Sequence, residues 1–188
     1  MKKRTLESVL DEYLVVASQN GDREALRRLV QRWNGRFTRL AYTRLKDGEA
    51  AKDVVQEAWV AVIRGMPRLH DPARFRAWSY RIVSNKARDW IRREQSRRRA
   101  MDGASTETPS VTAPSSPSNL TDEMRLALGT LSESQRLVLS LFYVEGMGVA
   151  EVAQVLDVPV GTVKSRLFHA RKALAAAFAK RAEKEMTQ

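Results

Sequence analysis

VAEVAQVLDVPVGTVKSRLFHARKAL, residues 149–174, reads as a short helix, a tight turn and a longer helix. Val149, Val152, Ala153 and Leu156 fall on one face of the first helix. Pro159 cannot continue that helix, and Gly161 is expected to permit a tight start to the next. At about 100° per residue, Val163, Leu167, Ala170 and Leu174 lie within about 60° of arc, which predicts the buried stripe. Ser165, Phe168, His169 and Lys172 lie near the opposite side, with Lys164 and Arg171 on one flank. A large aromatic on a basic face suits contact with sugars, bases or thymine methyls in a major groove. The layout is that of a helix-turn-helix, the alternative being an ordinary amphipathic hairpin.

Working upstream, Ser132 and Gln135 form a capping-box start for QRLVLSLFYVEG. That segment carries Leu137, Val138, Leu141 and Phe142 at helical spacing and stops at Gly146. Residues 100–120, AMDGASTETPSVTAPSSPSNL, hold three prolines, five serines and three threonines and predict a disordered linker. Almost everything outside it has helical spacing, so the expected class is all-α, two small helical domains joined by a flexible linker. The expected division is an N-terminal extension over 1–20, a basic domain over 21–98, the linker over 99–120, a second domain over 121–180 and a tail over 181–188.

The chain has 188 residues and a formal net charge of +11. The excess is concentrated: residues 21–99 hold 21 basic and 9 acidic side chains. A positive field of that density suggests a polyanion partner, because each neutralised phosphate releases counterions. With no cysteine there is no disulfide framework and no thiolate metal site, and two histidines argue against a zinc enzyme. No apolar run reaches the roughly 18 residues of a membrane span, and Glu7, Asp11 and Glu12 stand where a signal peptide needs apolar residues. The expectation is a cytoplasmic protein with no metal, no cofactor and no membrane insertion.

Two segments of the basic half carry unusual surfaces. In DGEAAKDVVQEAWVAVIRG, Ala51, Val54, Val55, Ala58 and Val62 form a core stripe. Asp53, Gln56, Glu57, Val60 and Arg64 lie opposite, an acidic and amide cluster expected to dock a basic protein partner. In DPARFRAWSYRIVSNKARDWIRREQSRRR, Phe75, Trp78 and Ile82 make an apolar stripe. A straight helix would then turn Lys86 into the core, which predicts a break near Ser84–Asn85 and a new helix with Trp90 and Ile91 inward. Asn85 would sit at the tip of the bend between Arg81, Lys86 and Arg88. Tyr80 lies off the stripe and is expected to be exposed. Cations with aromatic faces suit single-stranded nucleic acid: charge follows the backbone and rings stack the bases.

Together these segments resemble the bacterial RNA polymerase sigma factors, in the two-domain extracytoplasmic-function (ECF) class of the sigma-70 family. The similarity runs through DxxxxxDVVQEAWVAVIR, FRAWSYRIVSNKARDWIRR and LSESQRLVLSLFYVEGMGVAEVAQVLDVPVGTVKSRLFHARKAL, over about residues 20–98 and 121–178. The resemblance implies that Asp53, Gln56, Glu57 and Val60 dock on the β′ clamp helices of core RNA polymerase, which also offers its β subunit. It implies that Asn85 and Lys86 hold a flipped −10 base, with Trp78, Tyr80, Arg81 and Arg88 lining the strand. Lys164, Ser165, Phe168 and His169 would read the −35 element of promoter DNA, with Thr162 also on that DNA and Arg171 and Lys172 on phosphates. An anti-sigma factor is the further partner that the resemblance implies. His169 departs from relatives that carry Arg there, and a neutral His is the poorer partner for guanine. A stand-alone helix-turn-helix regulator is the main rival. A metal-dependent nuclease, which could recruit only Asp53, Glu57 and Asp89, is the distant one.

Overall fold

Short polar side chains start the helices. Thr5 and Ser8 form a reciprocal cap for α1, Leu6–Gln19. Asp22 accepts from the Glu24 and Ala25 N–H groups ahead of α2, Arg23–Leu45, and Asp47 does the same for Glu49 and Ala50 ahead of α3, Gly48–Gly65. Each satisfies donors that the first helical turn leaves open. Two single 3-10 turns, Met66–Arg68 and Pro72–Arg74, lead into α4, Phe75–Met101. The second half contains α5, Asp122–Gly129; α6, Glu133–Leu139; α7, Val149–Leu156; and α8, Val160–Met186. This computed structural model describes residues 5–101 and 122–186. The chain divides into two compact units, one holding α1–α4 and the other α5–α8. Every regular element among the described residues is helical, as the spacing predicts.

The core of the first unit is aromatic. Trp33 of α2 meets Phe75 and Tyr80 of α4 at centroid separations of 5.3 and 5.7 Å, Phe37 of α2 meets Tyr80 at 5.7 Å, and Phe37 lies 4.9 Å from Trp59 of α3. Polar links hold the helices in register. Arg32 Nε donates to the buried Asp11 carboxylate at 2.9 Å, joining α2 to α1. Gln19 Nε2 donates to the Met66 and Leu69 carbonyls, fixing the end of α1 on the loop after α3. Arg44 Nη1 donates to both Ser84 Oγ and the Ser84 carbonyl, joining α2 to α4. Residues 6–19, within the expected N-terminal extension, are a packed helix with Leu14 and Val15 buried.

Four expectations about α4 are overturned. It has no break at Ser84–Asn85: the helix is continuous from Phe75 to Met101 and covers the first residues assigned to the linker. Its buried stripe is Phe75, Ser79, Tyr80, Val83, Ser84 and Ala87, with Trp78 and Ile82 only half-buried. Tyr80, expected outside, is fully buried against Trp33 and Phe37. Trp90 and Ile91, expected inside, are half-buried. Lys86 does not force a bend, because its ammonium reaches Glu57 of α3 at 3.3 Å while its side chain remains about a third exposed. A long aliphatic stem can cover apolar surface and still leave its charge wet. The rest of the expected linker lies outside the described residues.

In the second unit, the Ser132–Gln135 cap is present. After Leu139 the helix widens into a π-type turn, Ser140–Val144, and stops at Gly146 with φ +58°. Gly146 suits that left-handed backbone because it has no Cβ. In the turn between α7 and α8, Asp157 takes the left-handed conformation at φ +57°. Aspartate tolerates that region better than most side chains. The Pro159 carbonyl accepts from the Thr162 N–H at 2.9 Å, so α8 begins at Val160, two residues early. Its inner face is Val163, Leu167 and Ala170, with Leu174 half-buried.

Candidate nucleic-acid and protein-docking surfaces

α8 presents the surface its spacing predicts. Lys164, Ser165, Phe168, His169, Arg171 and Lys172 are exposed, and Thr162 is half-buried at the first turn. Phe168 is 62% exposed, unsupported by the core, and meets the His169 ring edge-on at 5.4 Å. Arg171 departs from the simple phosphate contact of the sequence reading. Its Nε donates to the Tyr143 hydroxyl at 2.8 Å, and its guanidinium carbon lies 5.8 Å from the Phe142 ring and 5.7 Å from the Tyr143 ring. Phe142 and Tyr143 were legible in the sequence only as residues of a helix. The widened turn that aims them at Arg171 carries no period of its own.

On α3 the core stripe is buried as expected, with Ala50 and Trp59 added to it. Asp53, Gln56 and Val60 face outward, Val60 being 48% exposed. Glu57 does not stand with them as an open carboxylate. It accepts from Lys86 Nζ at 3.3 Å and Arg93 Nη2 at 3.5 Å, both from α4. Two cations therefore neutralise one end of the expected acidic face.

On α4 the expected strand-binding group is split. Arg81, Asn85 and Arg88 fall within about 60° of arc opposite the buried stripe. Both arginines are exposed, while Asn85 is half-buried with its Oδ1 shielded and without a hydrogen-bond partner among the described residues. Lys86 turns toward α3 and Tyr80 into the core, so neither belongs to this surface. Trp78 flanks it, half-buried, with a ring carbon 2.8 Å from where a Cβ on Gly65 would stand. Glycine at 65 is what lets the indole lie against the end of α3. At the far end of α4, Arg97 and Arg98 donate to Glu94, which holds that carboxyl below its ordinary value.

Residues 29–97 match the Sigma-70 region 2 family model and residues 121–174 match Sigma-70, region 4. The ECF RNA polymerase sigma-E factor of Escherichia coli K12 is 31% identical over 180 residues, 89% of this chain and 94% of that protein. The chain belongs to the ECF class of the sigma-70 family. This sigma factor is a non-enzymatic transcription initiation factor that binds DNA. The sigma-E factor of Haemophilus influenzae is 29% identical over 178 residues, 88% of the sigma factor described here and 94% of its relative. Among solved structures, CnrH in complex with the cytosolic domain of CnrY is similar at 28% identity and a TM-score of 0.62, covering 91% of this sigma factor and 98% of that chain. The sigma factor RpoE of Bartonella quintana, solved with the anti-sigma factor NepR, shares the fold at 21% identity and a TM-score of 0.66, with 82% and 96% covered. The region 2 match spans most of α2, α3 and most of α4, and leaves α1 outside it. No helix among the described residues of the sigma factor is long and apolar enough to cross a membrane.

Proposed function

We propose that this sigma factor binds core RNA polymerase through the outer face of α3, reads a −35 element with α8 and holds the melted −10 strand along α4. The observation that carries the reading is the outer face of α8. An exposed phenylalanine among exposed cations and small polar side chains serves no purpose in the core and fits a major groove. Lys164, Ser165, Phe168 and His169 face the bases, while Thr162, Arg171 and Lys172 face the backbone. On α3, Asp53, Gln56 and Val60 make the polymerase contact, and Glu57 contributes as far as its two α4 cations allow.

On α4, Arg81 and Arg88 follow the strand and Asn85 between them reads a base held out of the stack. Asn85 is half-buried, and a side-chain amide supplies both the donor and the acceptor that reading a base edge needs. The sequence has no GxxxxGK[ST] phosphate cradle. Opening is driven by binding the separated strand better than the closed duplex. With His169 in the reading face, the −35 sequence differs from that of relatives carrying arginine there, whose bidentate fork an imidazole cannot reproduce. The protein acts in the cytoplasm and is held inactive by an anti-sigma factor, a reading supported by the family resemblance and by CnrH, solved bound to the cytosolic domain of CnrY.

Run-off transcription by core polymerase on genomic fragments tests the whole reading. The expected result is initiation at a small set of promoters only when the protein is added, lost when the −35 element is scrambled. Unchanged initiation with and without the protein overturns the proposal. Sequence-specific duplex binding by the protein alone, with no association to core polymerase in a pull-down, favours the stand-alone regulator instead.

A further inference from the structure

The geometry points to Tyr143 as a positioning residue that, with Phe142, sets the Arg171 guanidinium for a DNA phosphate; the inference rests on the proposed docking of α8 on promoter duplex. Three observations converge. The Arg171 Nε–H is committed to the Tyr143 hydroxyl at 2.8 Å. The same guanidinium lies 5.7–5.8 Å from both ring centroids, and the rings meet edge-to-face at 4.9 Å and 80°. Both rings belong to a π-type turn, closed by the Glu145 N–H on the Ser140 carbonyl at 3.0 Å, and such widened turns recur at functional sites.

The consequence follows from the donor inventory of arginine. A guanidinium has five N–H donors, and committing Nε leaves the four on the two Nη atoms. Arg171 is exposed, so that end faces solvent on the flank of α8 where phosphates would pass. An arginine free to rotate loses rotamer freedom when it meets a phosphate, whereas one already held has lost it on folding. The aromatic faces attract the cation without neutralising it, so the positive charge stays available. Tyr143 thereby ties the segment after α6 to the DNA-facing flank of α8.

The test measures holoenzyme binding to a promoter duplex selected by run-off transcription, across a salt titration, for Tyr143→Phe, Arg171→Ala, the double variant and Lys164→Ala. Thermal unfolding of each accompanies it. Arg171→Ala should weaken binding and reduce the salt slope by about one, the signature of a lost phosphate contact. Tyr143→Phe removes only the acceptor oxygen. It should weaken binding about three- to tenfold, as loss of one hydrogen bond does, with the slope and unfolding temperature kept. In the Arg171→Ala background Tyr143→Phe should have no further effect. An equal loss from Tyr143→Phe in both backgrounds, or none in either, overturns the inference. If Arg171→Ala changes neither affinity nor slope while Lys164→Ala weakens binding, the inference fails and the docking of α8 stands. If Lys164→Ala and a scrambled −35 element are also without effect, the proposed function fails with it.

Discussion

Tyr80→Ala separates two physical roles that the same residue could have played. An exposed Tyr80 would stack a base, and its loss would impair promoter opening while leaving the fold alone. The structure instead buries the ring completely, 5.7 Å from both Trp33 and Phe37. Removing a fully buried aromatic side chain forfeits on the order of 150–200 Å² of burial. At about 25 cal/mol per Å² that is about 4–5 kcal/mol, and the about 3–5 kcal/mol typical of aromatic-to-alanine changes in cores agrees. A unit of this size has a total stability of about 5–15 kcal/mol. The transition of the α1–α4 unit, followed by circular dichroism on heating, should therefore fall by roughly 12–40 °C, at about 4–8 °C per kcal/mol. An unfolding temperature within about 4 °C of wild type, together with lost open-complex formation, would refute the core assignment and return the ring to the strand.

Gly65→Ala puts a Cβ 2.8 Å from the Trp78 ring and should cost about 1–3 kcal/mol as the indole is displaced, read as a lower unfolding temperature and reduced promoter opening; wild-type values of both would show that the close approach is dispensable. Val60→Glu, at an exposed position on the outer face of α3, should weaken core polymerase binding about tenfold at an unchanged unfolding temperature, and equal capture of polymerase would move the docking face elsewhere. Asn85→Ala should slow open-complex formation, measured by permanganate reactivity of the melted strand, with polymerase binding intact; loss of polymerase binding instead would make Asn85 a docking residue.

Where local rules and tertiary packing agree, the residues could be read directly. The α3 stripe of Ala51, Val54, Val55, Ala58 and Val62 is unambiguous because its apolar and polar positions are cleanly separated, and all five are buried. Likewise α8 keeps Phe168 on the far side from Val163, Leu167 and Ala170, so the arc predicts both faces. α4 misleads because hydrophobicity is a poor guide to its rotation. Ser79 and Ser84 look like surface residues, yet both are buried, Ser84 being held by Arg44. Trp78 and Ile82 look like core residues, yet both are half-buried. A rotation of about one residue separates the two readings, enough to move Tyr80 from solvent to the centre of the core. The supposed conflict at Lys86 vanishes for the same reason, since its partner Glu57 lies 29 positions away in sequence.

From the residues alone came the all-helical class, the helix-turn-helix and the basic face of α8. Each depends on period, capping or turn chemistry acting within a few residues. Only the folded chain decided how α4 is rotated, that Glu57 is shared between two cations, and that Arg171 is held by Tyr143. Those outcomes depend on which surfaces meet across tens of residues, and packing energy settles such meetings after local preference has already made the helices.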